Sequence, residues 1–159
     1  MRRRLRFVLA LLTIAAMYAS TGVSALARTS AGSQKDASHS RKLARRVVAF
    51  ARRQVGVLYH WGGSSRRTGY DCSGLVYAAY RSIGRRIPRS TWDQRRVGRH
   101  VRFNRLRPGD LLFTEGGGHV VLVASKRAAI SAPHTGARVS YVALAGLRAE
   151  FAGARRLLN

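Results

Sequence analysis

The chain has 159 residues, 30 of them Lys or Arg against 6 Asp or Glu, for a formal net charge of +24 at pH 7. That length suits one domain around one hydrophobic core, and the single cysteine excludes an internal disulfide. The charge directs the protein toward polyanions. One cysteine and five scattered histidines lack the short paired spacing of a structural zinc site, so no metal and no cofactor is expected.

In chain order, Arg2, Arg3, Arg4 and Arg6 precede an apolar run from Phe7 to Met17, and Ala25-Leu26-Ala27 follows with small residues at the cleavage positions. This is the pattern of a secretory signal peptide over residues 1–27. The apolar run falls short of the about 20 residues that a spanning helix needs, so no transmembrane segment is expected after cleavage. Removing residues 1–27 leaves 26 basic against 6 acidic side chains. An exported chain of that charge points to a polyanionic envelope, with its anionic cell-wall polymers, or to an anionic membrane face, with no specific nucleic acid, and to a secreted, periplasmic or wall-associated location. Export also sharpens the question of Cys72, because exported proteins use cysteines in pairs. Unpaired, Cys72 is a small buried hydrophobe, half of an intermolecular bridge, or a working thiol.

Residues 28–39, "RTSAGSQKDASH", read as a flexible linker, and 40–159 as the folded domain. In "RKLARRVVAFARRQVG", Leu43, Val47, Ala51 and Val55 recur every four residues and Gly56 stops the run, which predicts an amphipathic helix. A second helix is predicted from Asp71 to Gly84, with Asp71 as N-cap, Leu75, Val76, Ala79, Tyr80 and Ile83 as its buried stripe, and Gly84 as its stop. A short third helix is predicted near Ser90 or Thr91. The period then changes: "RPGDLLF", "HVVLVA", "AAIS" and "RVSYVAL" are strand-like runs separated by turn compositions. Helices first and an antiparallel meander afterwards is an α+β arrangement.

Cys72 falls in the first turn of the second helix, where free N–H groups and the helix dipole favour thiolate over thiol. A nucleophilic thiol needs a base, and the candidate is His119, which opens an otherwise apolar strand and so stands at its end. Gly109 and Asp110 suit a tight turn, with the aspartate bonding local N–H groups. Trp61 and Trp92 could stack on a ligand at the rim, but aromatic residues are more often core, and both are left out of the site.

Together the ordered pieces "YHWGG", "YDCSGLV", "IPRSTWDQ", "RPGDLLF", "GHVVLV" and "APHTG" resemble the NlpC family of bacterial cell-wall cysteine peptidases, and "FAGARRL" resembles its last strand. The resemblance implies a compact papain-like domain with N-terminal helices packed on a small antiparallel sheet. It implies a monomeric endopeptidase that cleaves peptidoglycan stem peptides, at the bond between D-glutamate and a diamino acid, through a thioester acyl-enzyme. Carried over by position, Cys72 is the nucleophile and His119 the base, while Tyr59, Asp71 and Ser73 line the substrate end of the cleft. Tyr59 and the N–H of Cys72 are candidates for holding the oxyanion. Where the family usually has a histidine or another polar third member, this chain has Ser131, with His134 as the alternative. The departure at Ser131 leaves two other readings open: a catalytically impaired wall-binding or regulatory module, and an acyltransferase on the same fold.

Overall fold

The computed structural model describes residues 34–158. The signal peptide assigned to residues 1–27 lies outside the described residues. A compact unit covers Ser40–Asn159.

Helix α1 is described over 34–52. It therefore includes residues 34–39, which the composition had assigned to a linker. Ala44, Val47, Val48 and Ala51 form its buried stripe, while Arg41, Lys42, Arg45, Arg46 and Arg52 are exposed. Two details of the predicted helix change: the helical turns end before Val55, which is 40% exposed, and Gly56 lies beyond the end in a left-handed turn at φ 89°. The Gly56 N–H bonds instead to Val139 O at 2.8 Å, so tertiary pairing takes over from the helix there.

A two-stranded ribbon follows, β1 (Ser64–Ser65) with β2 (Gly69–Tyr70), and leads into α2 (Cys72–Arg81). The α2 stripe is buried as its spacing predicts at Leu75, Val76, Ala79 and Tyr80, whereas Ile83 lies past the end of the helix and is only partly buried. Its C-terminus closes on Gly84, at φ 79°, where Arg85 N bonds Tyr80 O at 3.1 Å and Gly84 N bonds Arg81 O at 2.9 Å. That pair of bonds satisfies the last carbonyls and requires the left-handed conformation that glycine adopts without cost. Helix α3 (Thr91–Gln94) is a single turn capped by the Ser90 side chain.

The other strands are β3 (Arg99–His100), β4 (Leu111–Thr114), β5 (His119–Val123), β6 (Ala128–Ser131), β7 (Ser140–Ala143) and β8 (Gly153–Arg156). They form one antiparallel sheet in the order β3-β8-β4-β5-β6-β7. Alternation divides the sheet's apolar residues between two clusters. Leu111, Phe113, Val120, Leu122 and Ile130 pack with α1 and α2, and Leu112, Val121, Val123 and Ala129 pack with Leu144, Phe103 and Phe151. Helices laid on a small antiparallel sheet make the fold α+β and papain-like, as the sequence led us to expect.

One buried ion pair locks the last strand to the turn before β4. Arg156 donates Nε to Asp110 Oδ1 and Nη2 to Asp110 Oδ2, both at 2.6 Å, and the Arg107 N–H adds a bond to Oδ2 at 2.8 Å. Beside it, the Tyr80 hydroxyl donates to Gly109 O at 2.6 Å and ties α2 to the same turn. Burial, and then the negative charge of Asp110, push the Tyr80 phenol well above its usual range, so it remains a donor. Removing one partner leaves the other as a buried unpaired charge. Asp110→Ala should cost about 3–5 kcal/mol in urea unfolding, and the Asp110→Ala/Arg156→Met double variant should recover part of that loss.

Candidate active site

The loop 60–63, the N-terminus of α2, α3 and the open end of the β5–β6 hairpin meet around Cys72. Asp71 organises the first of these. As N-cap of α2 it accepts from Gly74 N on Oδ1 at 2.6 Å, and from Gly62 N on Oδ2 at 2.9 Å. Arg89 approaches from the segment before α3 in a bidentate pair, Nη1 to Oδ1 at 2.9 Å and Nη2 to Oδ2 at 2.7 Å. The same guanidinium donates to Ser73 Oγ at 2.9 Å and Gly63 O at 2.9 Å, and Ser73 Oγ donates to Asp71 Oδ1 at 3.2 Å. Burial alone would raise the Asp71 pKa, but the Arg89 hydrogen bonds, the Gly74 and Gly62 N–H groups and the Arg89 charge outweigh it and hold the carboxyl below its usual value. Gly74 is required by close approach, because a Cβ there would run into Gly63 O.

Cys72 is therefore presented by a helix end whose position is set on three sides. Its Sγ lies 3.7 Å from Thr91 Oγ1, on the first residue of α3. Gln94, fully buried in the same turn, donates Nε2 to Ser73 O at 3.1 Å and to Pro88 O at 2.9 Å, which fastens α3 to the start of α2. Burial pushes the thiol pKa up, yet the hydrogen bonds from His119 and Thr91, the His119 charge and the Val120 N–H more than offset it, so the net shift is downward. This is the thiolate-favouring environment that the helix position alone suggested.

His119 begins β5, paired with Thr114 across the hairpin. Arg95 braces the glycine turn that precedes it, with Nη1 donating to Gly116 O at 2.8 Å and Nη2 to Ala152 O at 3.2 Å. The His119 ring uses Nε2 toward Ser131 Oγ at 2.9 Å, which leaves Nδ1 as the nitrogen for the thiol. Ser131 is the last residue of β6 and 2% exposed. His134 is exposed and turns its Nδ1 to Thr135 O at 2.9 Å, away from His119. Of the two candidates for the third position, the structure brings Ser131 to His119 and not His134.

Tyr59 is half-buried, bridged to Tyr70. Burial, with the negative charges of Cys72 and Asp71, raises its phenol pKa. Trp61 and Trp92 correct the reading that placed them in the core: they are 81% and 60% exposed. Their neighbours turn inward, Gly62 through its backbone N–H to Asp71 and Thr91 through its hydroxyl to Cys72, and the indoles stay in solvent. Two functional side chains escaped the sequence. Thr91 and Arg89 both stood within the quoted "IPRSTWDQ", but nothing local distinguishes Arg89 from some two dozen other arginines.

With this geometry in place, comparison with known proteins gives a decisive match: residues 56–156 fit the NlpC/P60 family. The chain belongs to the NlpC/P60 family. It is 38% identical over 116 residues to murein DD-endopeptidase MepH of Escherichia coli K12, covering 67% of this chain and 43% of that protein. It is 36% identical over 96 residues to gamma-D-glutamyl-L-lysine dipeptidyl-peptidase of Bacillus subtilis 168, covering 57% and 32%. The chain thus spans less than half the length of these relatives. Among solved structures, the peptidoglycan hydrolase RipB of Mycobacterium tuberculosis superposes with a TM-score of 0.69 at 31% identity, covering 77% of this chain and 68% of that one.

Two outcomes follow for this NlpC/P60 site. Thr91→Val removes a donor to the thiolate, so the midpoint of Cys72 alkylation by iodoacetamide against pH should move up, and Thr91→Ser should restore it. Because the Asp71 pKa is lower folded than unfolded, its ionised form stabilises the fold at pH values above the unfolded carboxylate pKa of about 3.9. That contribution disappears as pH falls through the lower folded value, so the urea-unfolding midpoint of Asp71→Asn should fall less with decreasing pH in this window than that of the wild type.

Proposed function

We propose that this chain is an exported, monomeric cysteine endopeptidase that hydrolyses an amide bond in peptidoglycan stem peptides, the bond between D-glutamate and the diamino acid. The observation that carries the reading is the line Cys72, His119, Ser131: a thiol of lowered pKa at a helix N-terminus, its neighbouring imidazole, and a buried hydroxyl at 2.9 Å on the far ring nitrogen. Family membership and relatives named as peptidoglycan endopeptidases and gamma-glutamyl peptidases support the substrate class.

In this mechanism the proton of Cys72 passes to Nδ1 of His119 and the thiolate attacks the stem carbonyl carbon. The oxyanion of the tetrahedral intermediate is held by the Cys72 N–H, at the unpaired start of α2, and by the Tyr59 hydroxyl. The raised pKa of Tyr59 keeps that hydroxyl protonated and able to donate. Collapse breaks the C–N bond, His119 gives its proton to the leaving amine, and a thioester remains. A water then loses its proton to His119, attacks the thioester, and releases the stem carboxylate and the thiol. Ser131 orients the ring through Nε2 without contributing a charge to the imidazolium.

Asp71 and Ser73 enter this mechanism as the frame of the cleft. The Asp71 carboxylate offers about four lone-pair sites and already accepts five hydrogen bonds from its own chain. A substrate ammonium would have to displace Arg89 to reach it, so substrate contact falls to Tyr59 and the exposed rim.

The test is mass spectrometry of defined stem fragments, one with the D-glutamyl–diamino acid bond and one with a D,D cross-link, after incubation with the mature protein. Cleavage of the first by wild type, with none by Cys72→Ala or His119→Ala, is the expected result; cleavage of only the D,D bond, or undiminished cleavage by Cys72→Ala, refutes the reading. Ser131→Ala should lower kcat roughly three- to tenfold, the value of one neutral hydrogen bond, whereas His134→Ala should leave it unchanged.

A further inference from the structure

At the other end of the β5–β6 hairpin lies a second recess. A cleft of about 730 Å³ has Phe103, Leu106 and Leu144 for its floor and Lys126, Arg127 and Arg148 around its rim, and no carboxylate lines it. Its floor belongs to the apolar cluster of Leu112, Val121 and Val123, the cluster that does not pack on α1 and α2. None of the three rim cations takes part in an ion pair among the described residues.

The Arg148 guanidinium is stacked in place, and the backbone that carries Lys126 and Arg127 is fixed, with their side chains exposed. The Arg148 guanidinium lies 4.6 Å from the Phe103 ring centroid, and Phe103 is itself fixed edge-on against Phe151, with centroids 5.3 Å apart and planes at 86°. Lys126 and Arg127 ride on a turn whose Ser125 Oγ accepts the N–H groups of Arg127 and Ala128, both at 3.1 Å. Leu144 N then bonds Arg127 O at 2.9 Å, which joins that turn to the segment leading to Arg148. Three like charges around one recess repel one another, and a stacked guanidinium loses rotamer freedom in advance of any ligand. Both facts favour an anion between them.

We propose that this cleft is an anchoring subsite for a linear, phosphate-bearing polymer of the cell envelope, distinct from the catalytic cleft. Two planar guanidinium forks and one ammonium match the spread oxygens of phosphate groups, while the apolar floor receives the carbon units between them. Placement supports the role. His119 and Ser131 stand at one end of the hairpin and the Ser125–Arg127 turn at the other, four residue steps or about 13 Å along the strand. A polymer bound there leaves Cys72 open, and holding the wall at one site raises the local concentration of stem peptides at the other. The benefit to catalysis rests on the peptidase reading, but the binding itself does not.

The test compares Lys126→Gln/Arg127→Gln/Arg148→Gln with an equally discharged control, Arg41→Gln/Arg45→Gln/Arg52→Gln on the exposed face of α1. Fluorescence anisotropy would follow binding to labelled poly(glycerol phosphate) at several salt concentrations, with poly-L-glutamate as the second probe. The cleft variant should bind poly(glycerol phosphate) about tenfold or more weakly, with a shallower salt dependence, while the α1 control stays within about threefold of wild type. Equal losses in the two variants would mean that overall charge alone drives binding and would overturn the proposal. Poly-L-glutamate bound as tightly as the phosphate polymer, and weakened equally by the cleft variant, would overturn the phosphate assignment. Unchanged Cys72 alkylation kinetics certify that each variant is folded, with the single variant Arg148→Gln as replacement should the triple fail that check. Because no hydrolysis is measured, failure here leaves the peptidase reading standing, and loss of peptidase activity leaves this one standing.

Discussion

The position of the reactive thiol depends on the Asp71 carboxylate. One side chain caps α2, receives the loop through Gly62, and takes Arg89 in a bidentate pair that also reaches Ser73 and Gly63. A charge buried this far is tolerated only when all of its lone pairs are used, so the requirement to satisfy Asp71 draws three chain segments to one point. Cys72 is the next residue, and its location follows from that convergence.

The second half of the site is built by strand register. His119 and Ser131 face one another because β5 and β6 pair with Leu122 opposite Ile130, which puts both polar residues at the same end of an otherwise apolar hairpin. Slipping the register by one residue would turn Ser131 to the other face. Such a slip would also carry Ile130 out of the cluster that packs on α1 and α2, so packing of the core enforces the alignment of the imidazole with its hydroxyl partner.

Charge has an asymmetric role in this molecule. With basic side chains outnumbering acidic ones 30 to 6, most arginines have no acid to meet, and the two buried aspartates each select one: Arg89 for Asp71 and Arg156 for Asp110. These pairs order the loop beside Cys72 and the last strand. The remaining positive charge is spread over surfaces such as the outer face of α1, and gathers without counter-charge around the cleft beneath Arg148.

Much of this was legible in the residues themselves. Four-residue periodicity located α1 and α2, "RPGDLLF" and "HVVLVA" located the strands, Asp71 read as an N-cap, and Cys72 and His119 could be singled out because a solitary thiol at a helix start and a histidine at a strand start are local features. Other features depend on which distant segments meet, and no local pattern encodes that. Only the folded chain seats the Ser131 hydroxyl against His119, brings Thr91 to the thiol, picks Arg89 and Arg156 out of an arginine-rich chain, and leaves Trp61 and Trp92 in solvent. Backbone periodicity and capping act over a few residues, whereas hydrogen-bond satisfaction of buried charge acts across the whole domain, and the candidate site around Cys72 is assembled by the second.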